Sequence, residues 1–242
     1  MTRFTVRYVA SDGERYQLQK DAQYTEIDLS ERNIESVNLE TLGECVTLER
    51  LLLNSNQITH LDLRPLSLCK SLRILSATSN SIGEIDLQPL SACENLEALE
   101  LSDNRLEDID LGPLRYCKKL TWLYLADNLL EEIDLGPLSE HRHLQYVILS
   151  SNIIKEIDLS PLQLSTDLRY LHLNNNKIDR LDVSVLFKCS QLESFMIDPD
   201  VAITAYHKLK HQHYFPEPIN ERIDSIEWFH DQSQGSQAYY RV

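Results

Sequence analysis

The feature that most constrains this chain is a 24-residue period, plainest in one asparagine column: Asn56, Asn80, Asn104, Asn128, Asn152 and Asn176. Leucines keep the same step at Leu48, Leu72, Leu96, Leu120, Leu144, Leu168 and Leu192, and prolines keep it at Pro65, Pro89, Pro113, Pro137 and Pro161. Units this short cannot each bury an apolar face alone, so they must stack into a solenoid with one continuous core. Such a body presents an extended surface, and the class of function that follows is binding.

The unit beginning at Leu120 reads Leu-Thr-Trp-Leu-Tyr-Leu-Ala-Asp-Asn-Leu-Leu, followed by Glu-Glu-Ile-Asp-Leu-Gly-Pro-Leu. This resembles the leucine-rich repeat, L-x-x-L-x-L-x-x-N-x-L, over residues 24 to about 200, as seven full units and a partial eighth. The Ile-Asp-Leu-x-Pro-Leu segment, often with Cys three residues on, is similar to a cytosolic, prokaryotic-style variant. The resemblance implies a leucine-rich repeat solenoid of the α/β class, mostly β, with a right-handed coil and a parallel sheet on its concave side.

Each unit opens with a short strand such as Leu123-Tyr124-Leu125, whose alternate side chains face the core and leave Tyr124 to solvent. The asparagine then turns the chain away, and its amide, donor and acceptor at once, satisfies backbone groups buried by the turn. Its neighbour Asp127 is expected to be exposed and tolerant of alanine. A second alternating pair, Ile133 and Leu135 around Asp134, predicts an extended outer-wall segment. The return is a Pro-Leu turn, where the fixed φ of proline opens one tight helical turn. A wall this compact predicts a gentle curve.

The ends break the period: Arg32 stands where the first unit should carry its asparagine, and Asp200 where the last should. Residues 1–23 read as an N-terminal β-hairpin cap, turning at Ser11-Asp12-Gly13-Glu14, that would cover the open edge of the first unit. Residues 201–242 read as a partly helical C-terminal cap and a polar tail. A helix is expected over Val201 to Gln212, then a cap segment with Ile223, Ile226, Trp228 and Phe229. A mobile tail is expected from Asp231, with Tyr239 and Tyr240 able to fold over the repeats.

The first twenty residues carry Arg3, Arg7, Asp12, Glu14 and Arg15 and no apolar run, which predicts a cytoplasmic protein with no membrane association. Cys45, Cys69, Cys93, Cys117 and Cys189 share one repeat position, with His141 and Ser165 in the gaps. A column that accepts all three types predicts small buried packing sites and free thiols. A net charge of −15 disfavours nucleic acid. Much of it forms an acidic ridge that includes Glu107, Asp110, Glu131, Glu132, Asp134 and Asp158, read as a solvated outer face, or else as a site for a basic partner or a divalent cation.

No nucleophile motif, phosphate loop or zinc pair is present in the sequence, so neither an enzyme nor a cofactor is expected. His207, His211 and His213 form the one cluster with metal-ligand residues, and a surface or packing role is preferred for it. The concave face carries more information, because its solvent-facing positions are free of the packing demands of the repeat. There the later units align Trp122, Tyr124, Tyr146, Ile148, Tyr170 and His172. Contiguous aromatic side chains mark an interface, so a monomeric protein-interaction module is expected, holding a protein or peptide on its concave face. The alternatives are a regulator or inhibitor of a cytosolic enzyme and a structural or cation-binding element that uses the ridge.

Overall fold

A computed structural model describes residues 3–212 and 214–230. The expectations for His213 and for the tail with Tyr239 and Tyr240 lie outside the described residues. The chain runs through β1 (Arg3–Ala10), β2 (Arg15–Asp21), β3 (Glu26–Asp28), β4 (Ile34–Asn38), β5 (Arg50–Leu52), β6 (Ile74–Ser76) and β7 (Ala98–Glu100). It continues through β8 (Trp122–Tyr124), β9 (Tyr146–Ile148), β10 (Tyr170–His172), β11 (Arg180–Asp182), β12 (Ser194–Met196), β13 (Ala202–Tyr206) and β14 (Glu227–Phe229).

Eight three-residue strands, β3, β5 to β10 and β12, form one parallel sheet, each pair in register at a step of 24 residues. The middle residue of each strand, such as Leu99, Leu123, Val147 or Leu171, is fully buried, and so are the leucines at Leu48 through Leu168. Outer-wall positions such as Leu63, Leu87, Leu111 and Leu135 close the other side of the same core. In the interior units the outer segment is extended without being a ladder strand; only β4 and β11, in end units, are strands. The Pro-Leu returns are short 3-10 turns with proline in the first turn, as the fixed φ predicts.

The asparagine column is a continuous hydrogen-bond ladder. Asn128 Nδ2 lies 3.0 Å from Leu101 O, 3.2 Å from Leu125 O and 3.1 Å from Ala126 O, and its Oδ1 accepts the Leu106 amide at 3.0 Å. The same pattern recurs along the coil, and at its start Asn56 Oδ1 accepts the amides of both Arg32 and Ile34. At the other end Asp198 substitutes for a further unit, its carboxylate accepting the amides of Asn175 and Asn176.

The residue before each ladder asparagine is left-handed. Ser55, Ser79, Asp103, Asp127, Ser151 and Asn175 have φ between 53° and 57°. Short polar side chains tolerate this region better than alanine does, because they bond locally. The expectation that Asp127 would accept alanine freely is therefore corrected: its side chain is exposed, but its backbone is constrained.

A second column also has a structural task. Asp62, Asp86, Asp110, Asp134, Asp158 and Asp182 each accept, through Oδ1, the amide two residues on, at 2.7–3.0 Å. These bonds open the 3-10 turns, so the spine of the acidic ridge is part of the repeat's own turn chemistry.

The five cysteines are free and buried. Their column is more than packing, since each occupant donates a hydrogen bond to a carbonyl of the preceding unit. Cys69, Cys93 and Cys117 Sγ lie 3.3–3.4 Å from Leu42, Leu66 and Leu90 O, His141 Nε2 lies 3.1 Å from Leu114 O, and Ser165 Oγ lies 2.7 Å from His141 O. Cys, His and Ser share a donor, which is what the position selects. Burial pushes Cys69, Cys93 and Cys117 up to about 12 and Cys189 to about 11.

Both ends extend the outer wall. The hairpin of β1 and β2 pairs antiparallel with β4 in the order β2-β1-β4, and Phe4, Val6 and Tyr8 enter the core. It covers the edge of the first unit on the convex side and leaves β3 as the last strand of the concave sheet. At the C-terminus the expected helix over 201–212 is replaced by β13, which lies parallel between β11 and β14. Ile203, Thr204 and Ala205 are all buried, as in a strand covered on both faces. Phe187, Phe215 and Trp228 meet edge to face and close this end of the core.

Candidate functional site

Strands β8, β9 and β10 carry the aromatic residues because the outward positions of a strand answer to no core constraint. Register places Trp122 beside Tyr146 and Tyr146 beside Tyr170, while Tyr124, Ile148 and His172 form the neighbouring row. The parallel ladder holds successive side chains roughly 4.8 Å apart, the spacing at which rings stack. Tyr146 and Tyr170 are stacked with centroids 4.8 Å apart and planes 6° from parallel. Trp122 and Tyr124 flank Tyr146 at 6.1 and 6.2 Å, and His172 meets Tyr170 edge-on at 6.0 Å.

All six residues named from the sequence, Trp122, Tyr124, Tyr146, Ile148, Tyr170 and His172, are brought together on this face, each half-buried rather than fully exposed. Mutual packing accounts for the difference. Burial lowers the pKa of His172 below that of an ordinary histidine, so the imidazole is neutral at pH 7, and its Nε2 lies 3.0 Å from Ser194 Oγ. Tyr124 is raised by burial, and Tyr170 by its hydrogen bond to Glu193, whose Oε2 accepts the phenol at 2.7 Å. The patch is therefore uncharged, with phenolic hydroxyls and an imidazole among its rings. Its rim is ionic on one side, where Arg169 and Glu193 pair at 2.9 Å, and apolar at Met196, which is 47% exposed.

The earlier units make a different surface. Glu26 and Arg50 pair at 3.2 Å, and Ala98 and Ser76 are fully buried. The Ser76 hydroxyl lies 2.7 Å from Asn54 Oδ1 and 2.6 Å from Glu100 Oε2, so this end is a closed polar network. The 24-residue period puts Ser76 in the same outward row as Tyr124, and a partnership between neighbouring strands, which the period does not encode, closes it off. Asn174 repeats the position of Asn54, whose Oδ1 accepts both the Ser76 hydroxyl and the Thr78 amide; here Met196 replaces the serine and Asp198 stands in the place of Thr78, and Asn174 Oδ1 is buried without a partner.

Among the described residues, no three His, Cys, Asp or Glu side chains converge to hold a metal ion. His207 lies in a 3-10 turn rather than a longer helix. Its ring is 5.8 Å from that of His211 and stacks at 4.6 Å on His230, an aromatic arrangement rather than a chelating one. No helix of the described residues is long and apolar enough to cross a membrane.

The family model described as leucine rich repeat matches residues 70–130 and 94–154. No curated protein matches the sequence. Among solved structures, an internalin C2 from Listeria monocytogenes is similar, with a TM-score of 0.55 and 25% identity over 72% of this chain and 80% of that one. A leucine-rich repeat protein of Leptospira interrogans superposes with a TM-score of 0.63 at 24% identity over 84% of this chain; the match spans about half of that protein, 47% of its length.

Proposed function

We propose that this chain, which is a leucine-rich repeat protein, works as a binding module whose protein or peptide partner docks on the aromatic half of the concave sheet. One observation carries the reading: five rings, from Trp122 to His172, lie in mutual contact across three adjacent strands on a face with no core to fill. Preordered rings lose little entropy when a partner covers them, and tryptophan and tyrosine dominate the energetics of protein interfaces. The polar network of the earlier units would then set the orientation of the partner.

The test is a Trp122/Tyr146/Tyr170 triple alanine variant, compared with the unmodified chain in affinity capture and then in titration with the purified partner. The rings support one another, so about 1–2 kcal/mol of stability should be lost with the fold intact. Affinity should fall by at least 2 kcal/mol, roughly thirtyfold. A control with Glu107→Gln and Glu132→Gln, ridge residues outside the turn-opening column, should change mainly the salt dependence. If the folded triple variant keeps its affinity while the ridge control loses it, the partner docks on the convex acidic face.

A further inference from the structure

We propose that the free edge of β2 pairs antiparallel with β2 of a second copy of this chain, about a twofold axis through Leu18, to form a head-to-head dimer. This departs from the monomer that the sequence suggests, and it does not depend on the concave site. Among the described residues β2 is the terminal strand of the sheet order β2-β1-β4, seven residues long, with neither a proline nor a bulge against β1. A long regular edge of this kind is a template for another strand.

The backbone phase suits a twofold pairing. The Ala10 amide donates to Glu14 O at 3.1 Å, and the ladder alternates from that bond. The amides of Arg15, Gln17, Gln19 and Asp21 therefore point away from β1, and those of Tyr16, Leu18 and Lys20 point toward it. A dyad at Leu18 makes Leu18 and its symmetry mate a non-hydrogen-bonded pair, with Cα atoms about 4.5 Å apart. Gln17 and Gln19 of the opposite copy then become a hydrogen-bonded pair.

The side chains fit the same register. The strand Arg-Tyr-Gln-Leu-Gln-Lys-Asp reads as a chemical palindrome. Pairing about Leu18 sets Arg15 opposite Asp21, Tyr16 opposite Lys20, Gln17 opposite Gln19 and Leu18 against itself. Opposite charges, a cation on a phenol ring and an apolar pair are favourable cross-strand combinations; the first two each occur twice in the dimer, and the apolar pair once, on the axis. Lys20 already sits 4.5 Å from the ring centre of Tyr24 in its own chain, and Tyr16 and Tyr24 are 43% and 45% exposed beside the edge.

Charge favours this end of the molecule. Residues 3–24 carry Arg3, Arg7, Arg15 and Lys20 against Asp12, Glu14 and Asp21, four positive and three negative, in a chain of net charge −15. Two copies therefore meet where they repel least. Because the hairpin extends the outer wall away from the repeats, the two solenoids would point in opposite directions and leave both concave faces open.

The position on the dyad supplies the test. Leu18→Lys and Leu18→Glu each place like charges directly opposite, so each variant alone should self-associate at least about tenfold more weakly than the unmodified chain in sedimentation equilibrium. An equimolar mixture of the two should recover a one-to-one dimer. Arg15→Asp, at an exposed position, should weaken association by a similar factor and guards against misreading a folding defect at Leu18. An unmodified chain that stays monomeric at every accessible concentration overturns the proposal. So does a folded Leu18→Lys that dimerises normally, a mixture of folded variants that stays monomeric, or an Arg15→Asp variant with unchanged association.

Discussion

Replacing Asn128 by alanine deletes a side chain that is 5% exposed and touches four backbone groups. The losses are unequal. Leu101 O still receives Asn104 Nδ2 at 3.1 Å, Leu125 O still receives Asn152 Nδ2 at 2.9 Å, and Ala126 O keeps the Asp103 amide at 2.9 Å. The buried Leu106 amide has Asn128 Oδ1 as its acceptor and is stranded. A buried unsatisfied amide costs roughly 1–3 kcal/mol, and the weakened carbonyl bonds add about 1, giving a loss of about 2–4 kcal/mol. For a domain of this size that corresponds to roughly 4–16 °C in melting temperature. Asn128→Asp separates the two halves of the argument: it keeps the acceptor for Leu106 but turns a donor into a carboxylate facing three carbonyls. Its deficit should therefore exceed that of alanine at pH 7 and shrink in acid. Circular dichroism melts and urea titrations of both variants measure this. A loss under about 0.5 kcal/mol for Asn128→Ala, the range of an ordinary surface change, would refute the ladder as a stabilising device.

Asp127→Gly should stabilise the protein by about 0.5–1 kcal/mol, and Asp127→Ala should destabilise it by about 1, because the backbone there is left-handed; equal urea midpoints for the two would contradict that account. Burial, with Lys118 nearby, depresses the folded-state pKa of His141 below its ordinary 6.5. Below about pH 6.5 the unfolded chain takes up a proton that the folded imidazole refuses, so this contribution is present above that pH and is lost as pH falls toward the folded pKa. His141→Cys should flatten the decline in urea midpoint between pH 7.5 and 5 relative to the unmodified protein, and parallel curves would show that His141 is not responsible. The five thiols should react with a disulfide reagent only as fast as the protein opens, since burial holds the cysteines protonated; rapid native-state labelling would contradict the buried column.

The repeats were legible because every unit states its pattern again. Leucine phase alone assigns Leu123 to the core and Tyr124 to the face, and proline position locates the 3-10 turns of the interior units from Pro65 to Pro161. Where a residue answers to a distant partner, the pattern is silent. Ala202–Tyr206 is fixed as a strand by β11 and β14 on either side of it; Val201, Ile203, Thr204 and Tyr206 favour a strand locally, but the partners it pairs with lie outside the repeat pattern. Ser, Asp or Asn before each ladder asparagine was in plain view as a column, yet only the backbone angles explain the choice. In the sequence Asp110, Asp134 and Asp158 register as charge on the ridge, whereas their first duty is to hold an amide two residues on. At the candidate site, the alignment of Trp122, Tyr146 and Tyr170 followed from the period, whereas their half-burial and the closed network at Ser76 depend on side-chain reach between neighbouring strands.

The asparagine ladder has a direction. Every amide in it reaches back to the unit before, taking that unit's N–H and giving to that unit's carbonyl, as Asn128 does with Leu106 and Leu101. A copied unit inserted at any interior boundary meets the same two groups on one side and offers the same two on the other. Only the ends, closed by the hairpin and by Asp198, are singular. Gene duplication in multiples of 24 residues can therefore lengthen or shorten this molecule without creating a new junction to solve, and the width of the concave sheet becomes a quantity that selection can count in whole units.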